Sequence, residues 1–431
     1  MSNINPEEES LILAALRRAY THSPFWRDRL SGIGVDKTDF VPGFSFTKLP
    51  PLNKKDILSD QEENPPFGRL LSVEPNKIRR IHKTSGTSAK PFIVTLTDED
   101  ILDTYMTTQR AFLLAGMGLG QRVVHCLSFN MWSGGVTDYM PIEQTGATAI
   151  PFGVGNTALL LHLIRDLGVN AISSTPSYMF TLRDRCKNEL GIDPKDLGLK
   201  YGYFGGEGLL QVPGVRDEIE ITFGMTAFDA NYGMSELLSV IAGEGPERNG
   251  MVYHGHGVLF VEMIDADGNP VPIVKGAMGE LLFTTLRREG QPLFRYRSND
   301  IAEILWSDLG EDGLLRMRFR IVGRSDEMLI VKGVNFFPQS LLSVLPEFEP
   351  RISREFRVVR PQGQSPEDVC VIMETDVEPG SDLEDITTAI RKRVAEMLQV
   401  RISIEWVSMQ YLPREGNKTR FVIDDPKPLL Q

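Results

Sequence analysis

The spacing of apolar and polar positions changes several times along the chain. Helical spacing runs over residues 8–20 and 23–30, and an irregular, proline-rich stretch follows from Leu49-Pro50-Pro51 to Pro65-Pro66. Beyond residue 78, short apolar runs at 93–96, 123–127, 147–150, 169–173 and 201–204 predict strands. Helical patterns at 98–115, 137–144, 157–167 and 177–190 lie between them, which predicts βαβ units around a largely parallel sheet. Thr97, followed three residues later by Asp100, reads as a capping box opening the first long helix. Past residue 251 the helices vanish. Runs at 258–264, 280–286 and 301–306, with a turn at 265–270, predict an antiparallel β-rich subdomain. From 326 onward, strand-like 328–331, 369–375 and 402–407 alternate with helices at 339–345 and 383–398. The predicted fold class is α/β. A large N-terminal domain (1–325) has mainly parallel sheets flanked by helices plus the β-rich subdomain, and a small α+β C-terminal domain follows (326–431).

Size agrees with that division, because 431 residues exceed the ~250–300 at which a single core stops growing. No apolar run approaches the ~18–20 residues of a membrane helix; the strongest, 159–164, is interrupted by His162. The N-terminus is acidic through Glu7-Glu8-Glu9, unlike a secretory signal, so a cytoplasmic protein with no membrane partner is expected. Lys and Arg total 46 against 58 Asp and Glu, a net charge of −12, which argues against nucleic acid as a partner. A small polyanion remains compatible where positive charge is local, and Arg79, Arg80, Lys83 and Lys90 crowd around one glycine-containing loop. Cys126, Cys186 and Cys370 are far apart with no CxxC, which points to reduced thiols. His254 and His256 share a strand face without soft ligands, so a structural or pocket-edge role is expected for them.

That loop is Thr84-Ser85-Gly86-Thr87-Ser88-Ala89-Lys90-Pro91. Hydroxyls and backbone N–H groups of such a loop can wrap phosphate oxygens, with Lys90 as a cation. It is not a Walker A loop: GxxxxGK[ST] is missing, and strand-like sequence follows. Four further segments could carry chemistry. Asn231-Tyr232-Gly233-Met234-Ser235-Glu236 offers a carboxylate among small residues, and Arg295-Tyr296-Arg297-Ser298-Asn299-Asp300 ends on an acid able to hold a ribose diol. Gly323-Arg324-Ser325-Asp326 sits at the predicted domain boundary, and Leu412-Pro413-Arg414-Glu415-Gly416-Asn417-Lys418 is basic. Taken singly, these also read as a solvated hairpin, a structural acid, a rim salt bridge, a linker turn and a terminal tail.

In order and spacing, these segments resemble the adenylate-forming acyl-CoA synthetase superfamily, and most closely its phenylacetate–CoA ligase branch. The similarity runs from about residue 48 to 425. It includes Leu49-Pro50-Pro51-Leu52-Asn53-Lys54-Lys55-Asp56, Arg80-Ile81-His82, Trp132-Ser133-Gly134-Gly135, Thr175-Pro176-Ser177-Tyr178, Phe204-Gly205-Gly206-Glu207 and Lys332-Gly333-Val334-Asn335-Phe336-Phe337-Pro338. The resemblance implies a two-step reaction. ATP and a carboxylic acid give acyl-AMP and pyrophosphate, and the acyl group then passes to coenzyme A. It also implies roles. Thr84, Ser85, Gly86, Thr87, Ser88 and Lys90 would hold the departing phosphates, and Glu236 would orient Mg²⁺. Gly205, Gly206, Glu207, Asn231, Tyr232 and Gly233 would line the adenine slot. Asp300 would take the ribose hydroxyls, and Arg324 would lie beside the ribose and α-phosphate. Lys418 would bridge the substrate carboxylate and the α-phosphate. Asp326 would be the hinge of a mobile small domain, with Lys332, Gly333, Val334 and Asn335 in the coenzyme A region.

The chain departs from the family pattern at Ala89, Asn299 and Asn417, each where a glycine is usual; asparagine tolerates left-handed geometry. Trp132, Tyr139, Tyr203, Phe204 and Met234 are the expected acyl-pocket set, suited to a flat ring, so an aryl or arylacetic acid is the expected small-molecule substrate. Two alternatives stand beside a coenzyme A ligase. One is an adenylating enzyme that passes the acyl group to an amine, a hydroxyl or a carrier-protein thiol; the other is a non-catalytic nucleotide- or acid-binding homologue. A monomer or homodimer is expected.

Overall fold

The computed structural model describes residues 5–84, 91–331, 334–360, 368–378, 380–413 and 421–424. The chain divides into two compact units, one of residues 1–208 and 217–322, the other of 209–216 and 323–431. The break at Gly323 falls three residues before the expected boundary, and the excursion 209–216 was not anticipated.

The first unit opens with helices α1 (Pro6–His22) and α2 (Pro24–Gly32). Each starts with proline at its first position, where a missing N–H costs nothing, behind an Asn5 or Ser23 cap. A third helix, α3 (Lys54–Glu63), lies inside the stretch read as irregular. The flanking prolines stop short of it, and Asn53 and Asp56 form the capping box that starts it. Strands β1 (Arg80–Lys83) and β2 (Ile93–Leu96) pair as an antiparallel hairpin, so the phosphate-loop segment joins two strands.

Helix α4 (Asp98–Leu114), opened by the predicted Thr97–Asp100 capping box, leads into the parallel sheet. That region runs β3 (Arg122–His125), α5 (Ser133–Gln144), β4 (Thr148–Pro151), α6 (Thr157–Asp166), β5 (Ala171–Ser174), α7 (Pro176–Arg185), β6 (Tyr201–Gly205), α8 (Val215–Phe223) and β7 (Thr226–Asn231). All four pairings in the sheet are parallel, in the order β4-β3-β5-β6-β7. The chain steps outward from β3 to β4 and then returns past β3 to β5. Loops leaving the carboxyl ends of β3 and β5 therefore run in opposite directions, and open α/β sheets bind ligands in the crevice this creates. One face of the sheet is closed by Phe112, Ile142, Tyr203 and Phe228 in a single apolar cluster.

Strands β8 (Ala242–Glu244), β9 (Met251–Tyr253), β10 (Leu259–Ile264), β11 (Met278–Thr285), β12 (Tyr296–Leu309) and β13 (Leu315–Arg324) form a six-stranded sheet in the order β10-β11-β12-β13-β9-β8. Its core is shared with the N-terminal helices: Trp26 stands edge-on to Phe294 at 4.8 Å and donates its indole N–H to Pro292 O at 2.7 Å. Losing a ring buried this fully costs about 3–5 kcal/mol. The segment before α3 also joins the sheet. Leu52 N donates to Arg295 O, and Arg297 N to Leu52 O, both at 3.0 Å, which makes a parallel rung beside Tyr296.

In the second unit, β14 (Leu329–Val331) and β15 (Val334–Phe336) form a hairpin. A four-stranded sheet follows, ordered β18-β17-β16-β19, from β16 (Ile352–Val359), β17 (Val369–Thr375), β18 (Ile402–Ser408) and β19 (Val422–Ile423). Helix α9 (Ser381–Leu398) buries Ile386, Ile390 and Val394, one stripe at four-residue spacing. The helix expected over 339–345 is instead two short 3₁₀ turns, Pro338–Ser343 and Leu345–Phe348. Pro346 supplies no N–H there, so an α-helical ladder cannot run through. The molecule is thus α/β with a parallel sheet, an antiparallel β-rich part and a small α+β unit. No helix among the described residues is long and apolar enough to cross a membrane.

Candidate active site

At the carboxyl end of β6 the chain turns through Gly205-Gly206-Glu207. Any Cβ on Gly205 would meet Asn231 O at 2.6 Å, and Gly206 has φ +83°, so both positions require glycine. The Glu207 carboxylate accepts the Ser177 N–H at 2.7 Å, capping the first turn of α7. From the end of β7, Tyr232 donates its hydroxyl to Asp300 Oδ2 at 2.8 Å, and its ring stands edge-on to Phe319. Asp300 is buried, and its N–H donates to Ser298 Oγ at 2.9 Å. Asn299 holds φ +60°, the left-handed geometry its residue type tolerates. The structure thus joins two residues that stand 68 positions apart in sequence.

Glu236 is 7% exposed. Its Oε1 accepts the Tyr296 hydroxyl at 2.7 Å and pairs with the Lys54 ammonium at 3.2 Å. Arg288 donates to the Glu236 carbonyl at 3.1 Å. Burial alone would raise this carboxyl's pKa; the Lys54 charge and the Tyr296 hydroxyl outweigh it and leave the net value lowered. Glu236 therefore stays anionic, which fits a residue that supplies one carboxylate oxygen to Mg²⁺ alongside phosphate oxygens. Neither Lys54 nor Tyr296 was singled out from sequence. Lys54 lies within a stretch that matches the family, but its meeting with Glu236 is set by the Leu52 rung on β12.

Of the expected acyl-pocket residues, Trp132 precedes α5, with its ring over Gly134 and close to Gly206. Tyr139 forms an aromatic trio with His125 and Phe129, centroids 5.8–6.0 Å apart. Met234 is half-buried against the core of the β-rich part. Tyr203 is placed differently. It stacks on Phe228 at 5.7 Å within the sheet's core and donates its hydroxyl to Gln121 Oε1 at 2.9 Å. Phe204 is fully buried.

His125 and Phe129 were missed. His125 sits where the strand order reverses: Nδ1 lies 3.1 Å from Ser173 Oγ on β5, and Nε2 lies 3.1 Å from Gly134 O on α5. A carbonyl can only accept, so Nε2 carries the proton and Nδ1 takes the Ser173 hydroxyl. Burial pushes the ring's pKa down to about 4, against the pull of the Gly134 and Gly135 backbone, so it is neutral near pH 7. By the same reasoning, His82 donates from Nδ1 to Met131 O and accepts from Thr137 Oγ1 at Nε2, each at 3.2 Å. Its pKa is also lowered to about 4, by burial and by Arg80.

Thr84 closes the β1–β2 neck: its N–H donates to Phe92 O and its Oγ1 accepts Phe92 N, both at 3.0 Å. Ser85, Gly86, Thr87, Ser88, Lys90, Lys332, Gly333 and Lys418, with the side chains of Val334 and Asn335, lie outside the described residues. In the second unit, Arg324 makes a two-pronged contact to Asp326, 2.9 Å from Nε and 2.9 Å from the second guanidinium nitrogen. His254 and His256 offer their carbonyls to Arg110, at 3.1 and 3.4 Å.

Two family models match the chain: the AMP-binding enzyme model over residues 44–285 and the AMP-binding enzyme C-terminal domain over 333–425. The phenylacetate–coenzyme A ligase of Escherichia coli K12 is 34% identical over 338 residues, covering 78% of this chain and 74% of that protein. The enzyme of the same name from Thermus thermophilus is 28% identical over 441 residues, covering 97% and 95%. Among solved structures, a 2-hydroxyisobutyryl-CoA ligase in its postadenylation state, in complex with R3-HIB-AMP, superposes with a TM-score of 0.82 at 25% identity, covering 99% of this chain and 92% of that one. The chain belongs to the AMP-binding, adenylate-forming enzymes, in the phenylacetate–CoA ligase-like branch of AMP-forming acid–thiol ligases, whose members use ATP, Mg²⁺ and coenzyme A.

Proposed function

We propose that this chain activates an aryl or arylacetic acid with ATP and transfers the acyl group to coenzyme A. One observation carries the aromatic reading. His125, Phe129 and Tyr139 gather their rings at the carboxyl ends of β3 and β5, next to Trp132 and Gly206. A flat ring gains edge and face contacts there, and the neutral His125 adds no charge that would favour a polar tail. The names of the sequence relatives point the same way.

In the first step the carboxylate attacks the α-phosphate, forming a C–O–P linkage as pyrophosphate leaves. Two anions must approach, so positive charge and oriented donors carry the step. Mg²⁺, held in part by Glu236, would neutralise phosphate charge. Asp300 and Tyr232 hold the ribose and adenine side. Lys418 bridges the two reacting anions, and Arg324 approaches the α-phosphate. In the second step the coenzyme A thiolate displaces AMP; by the family resemblance residues 332–335 would serve coenzyme A and Asp326 would be the hinge between the two steps.

The test is AMP and acyl-CoA formation over a panel of phenylacetate, benzoates and small branched hydroxy acids. The expected result is turnover of the aromatic acids, with Tyr139→Ala raising their KM about tenfold and leaving the ATP KM in place. Preference for a branched aliphatic hydroxy acid would overturn the aromatic reading.

A further inference from the structure

Helix α5 grips the segment that carries the nucleotide and metal residues. Asp138, fully buried, accepts from the Asn231 side-chain amide through Oδ2 and from the Ser239 hydroxyl through Oδ1. Five residues earlier on the same helix, Ser133 Oγ lies 2.7 Å from Ser235 Oγ. A single carboxylate thus ties both ends of 231–239, and a hydroxyl ties its middle. Between those ties stand Tyr232, which meets Asp300, and Glu236, which meets Lys54 and Tyr296. The same helix presents Thr137 to His82, at the foot of the phosphate hairpin, and Tyr139 to the aromatic trio.

Among the described residues, no cationic side chain offsets Asp138. Burial raises its carboxyl to about 7, and the Ser239 and Asn231 donors only moderate this. A buried acid without a countercharge is costly to fold around, and an apolar residue there would cost less. Costs of this kind persist where a site needs a fixed geometry.

We propose that Asp138 is a positioning residue for the nucleotide. By holding Asn231 and Ser239 together it sets the placement of Tyr232 and Glu236, and α5 links that placement to the wall of the acyl pocket. The inference rests on the nucleotide half of the proposed function and is independent of which acid is used.

The measurement is calorimetric binding of ATP to the full chain without any acid. Asp138→Ala leaves two donors unmatched, and we expect ATP to bind about tenfold more weakly. In Asp138→Asn the amide oxygen still accepts from Asn231 and the NH₂ donates to the Ser239 hydroxyl, so affinity returns to within about threefold of wild type. Ser239→Ala removes one tie only and is expected to weaken ATP about threefold; it supplies the answer should Asp138→Ala not fold. Unchanged ATP affinity in Asp138→Ala, or in Ser239→Ala if the former is unfolded, overturns the proposal. So does a loss in Asp138→Ala that Asp138→Asn fails to repair. A wild type that binds ATP yet ignores phenylacetate counts against the aromatic reading alone.

Discussion

Replacing Lys54 by methionine isolates what its charge does for Glu236, because the aliphatic stem is kept. Removing one partner of a fully buried ion pair costs about 3–5 kcal/mol. Lys54 is 33% exposed while Glu236 is 7% exposed, so solvent already screens part of the attraction and a loss of about 2 kcal/mol is the better figure. For a unit of roughly 300 residues that is a fall in Tm of about 3 °C near neutral pH. The pH dependence gives the sharper signature. In the wild type the carboxyl lies below its ordinary 4.5, so its contribution is complete above that value and is lost as pH falls through the native pKa. Without Lys54, burial dominates and the carboxyl moves above 4.5. The variant then bears a penalty that grows as pH rises through its raised native pKa. The difference in Tm is therefore expected to be largest at pH 7–8, to narrow as pH falls below the variant's raised pKa, and to close only below the wild-type pKa, itself under 4.5, where both forms are protonated. Scanning calorimetry from pH 4 to 8 measures it. A difference independent of pH, or one that widens toward acid, would refute the argument that Lys54 acts by holding Glu236 anionic.

Two further outcomes follow from the site. Tyr232→Phe deletes the 2.8 Å hydrogen bond to the buried Asp300 carboxylate, and the ATP KM is expected to rise about tenfold, while the rate of thioester formation from supplied acyl-AMP and saturating coenzyme A stays within about twofold. Lys418→Ala is expected to abolish adenylation, measured by acid-dependent pyrophosphate exchange, and to spare acyl transfer from supplied acyl-AMP; equal loss in both assays would rule out separate arrangements for the two steps.

Much of the fold was legible where local signals agree. Helix α4 carries its capping box at Thr97 and Asp100, and α9 carries an apolar stripe at Ile386, Ile390 and Val394. Helix α3 was hidden because prolines at 50, 51, 65 and 66 dominate its neighbourhood, although Asn53 and Asp56 were there to be read as a start signal. At the candidate site, Tyr232, Glu236 and Asp300 could be singled out as candidates because short polar motifs between apolar runs stand out. Their partners were not. Lys54 meets Glu236 across 182 residues and Asp138 meets Asn231 across 93, distances over which no periodicity in the sequence carries information. Tyr203 shows the converse: an aromatic beside a glycine motif suggests a pocket, yet strand alternation turns its ring into the core.

The rung that Leu52 forms beside Tyr296 bears on how small a working enzyme of this kind can be made. A chain trimmed to begin at the phosphate hairpin would retain every glycine-bearing segment by which such enzymes are recognised. It would nevertheless lose the cation that steadies Glu236 and the indole that plugs the β-rich core. Residues 1–43 precede the family match and still pack into the core of the first unit, so a cut made where that match begins would keep Lys54 in the chain and lose the Trp26 indole.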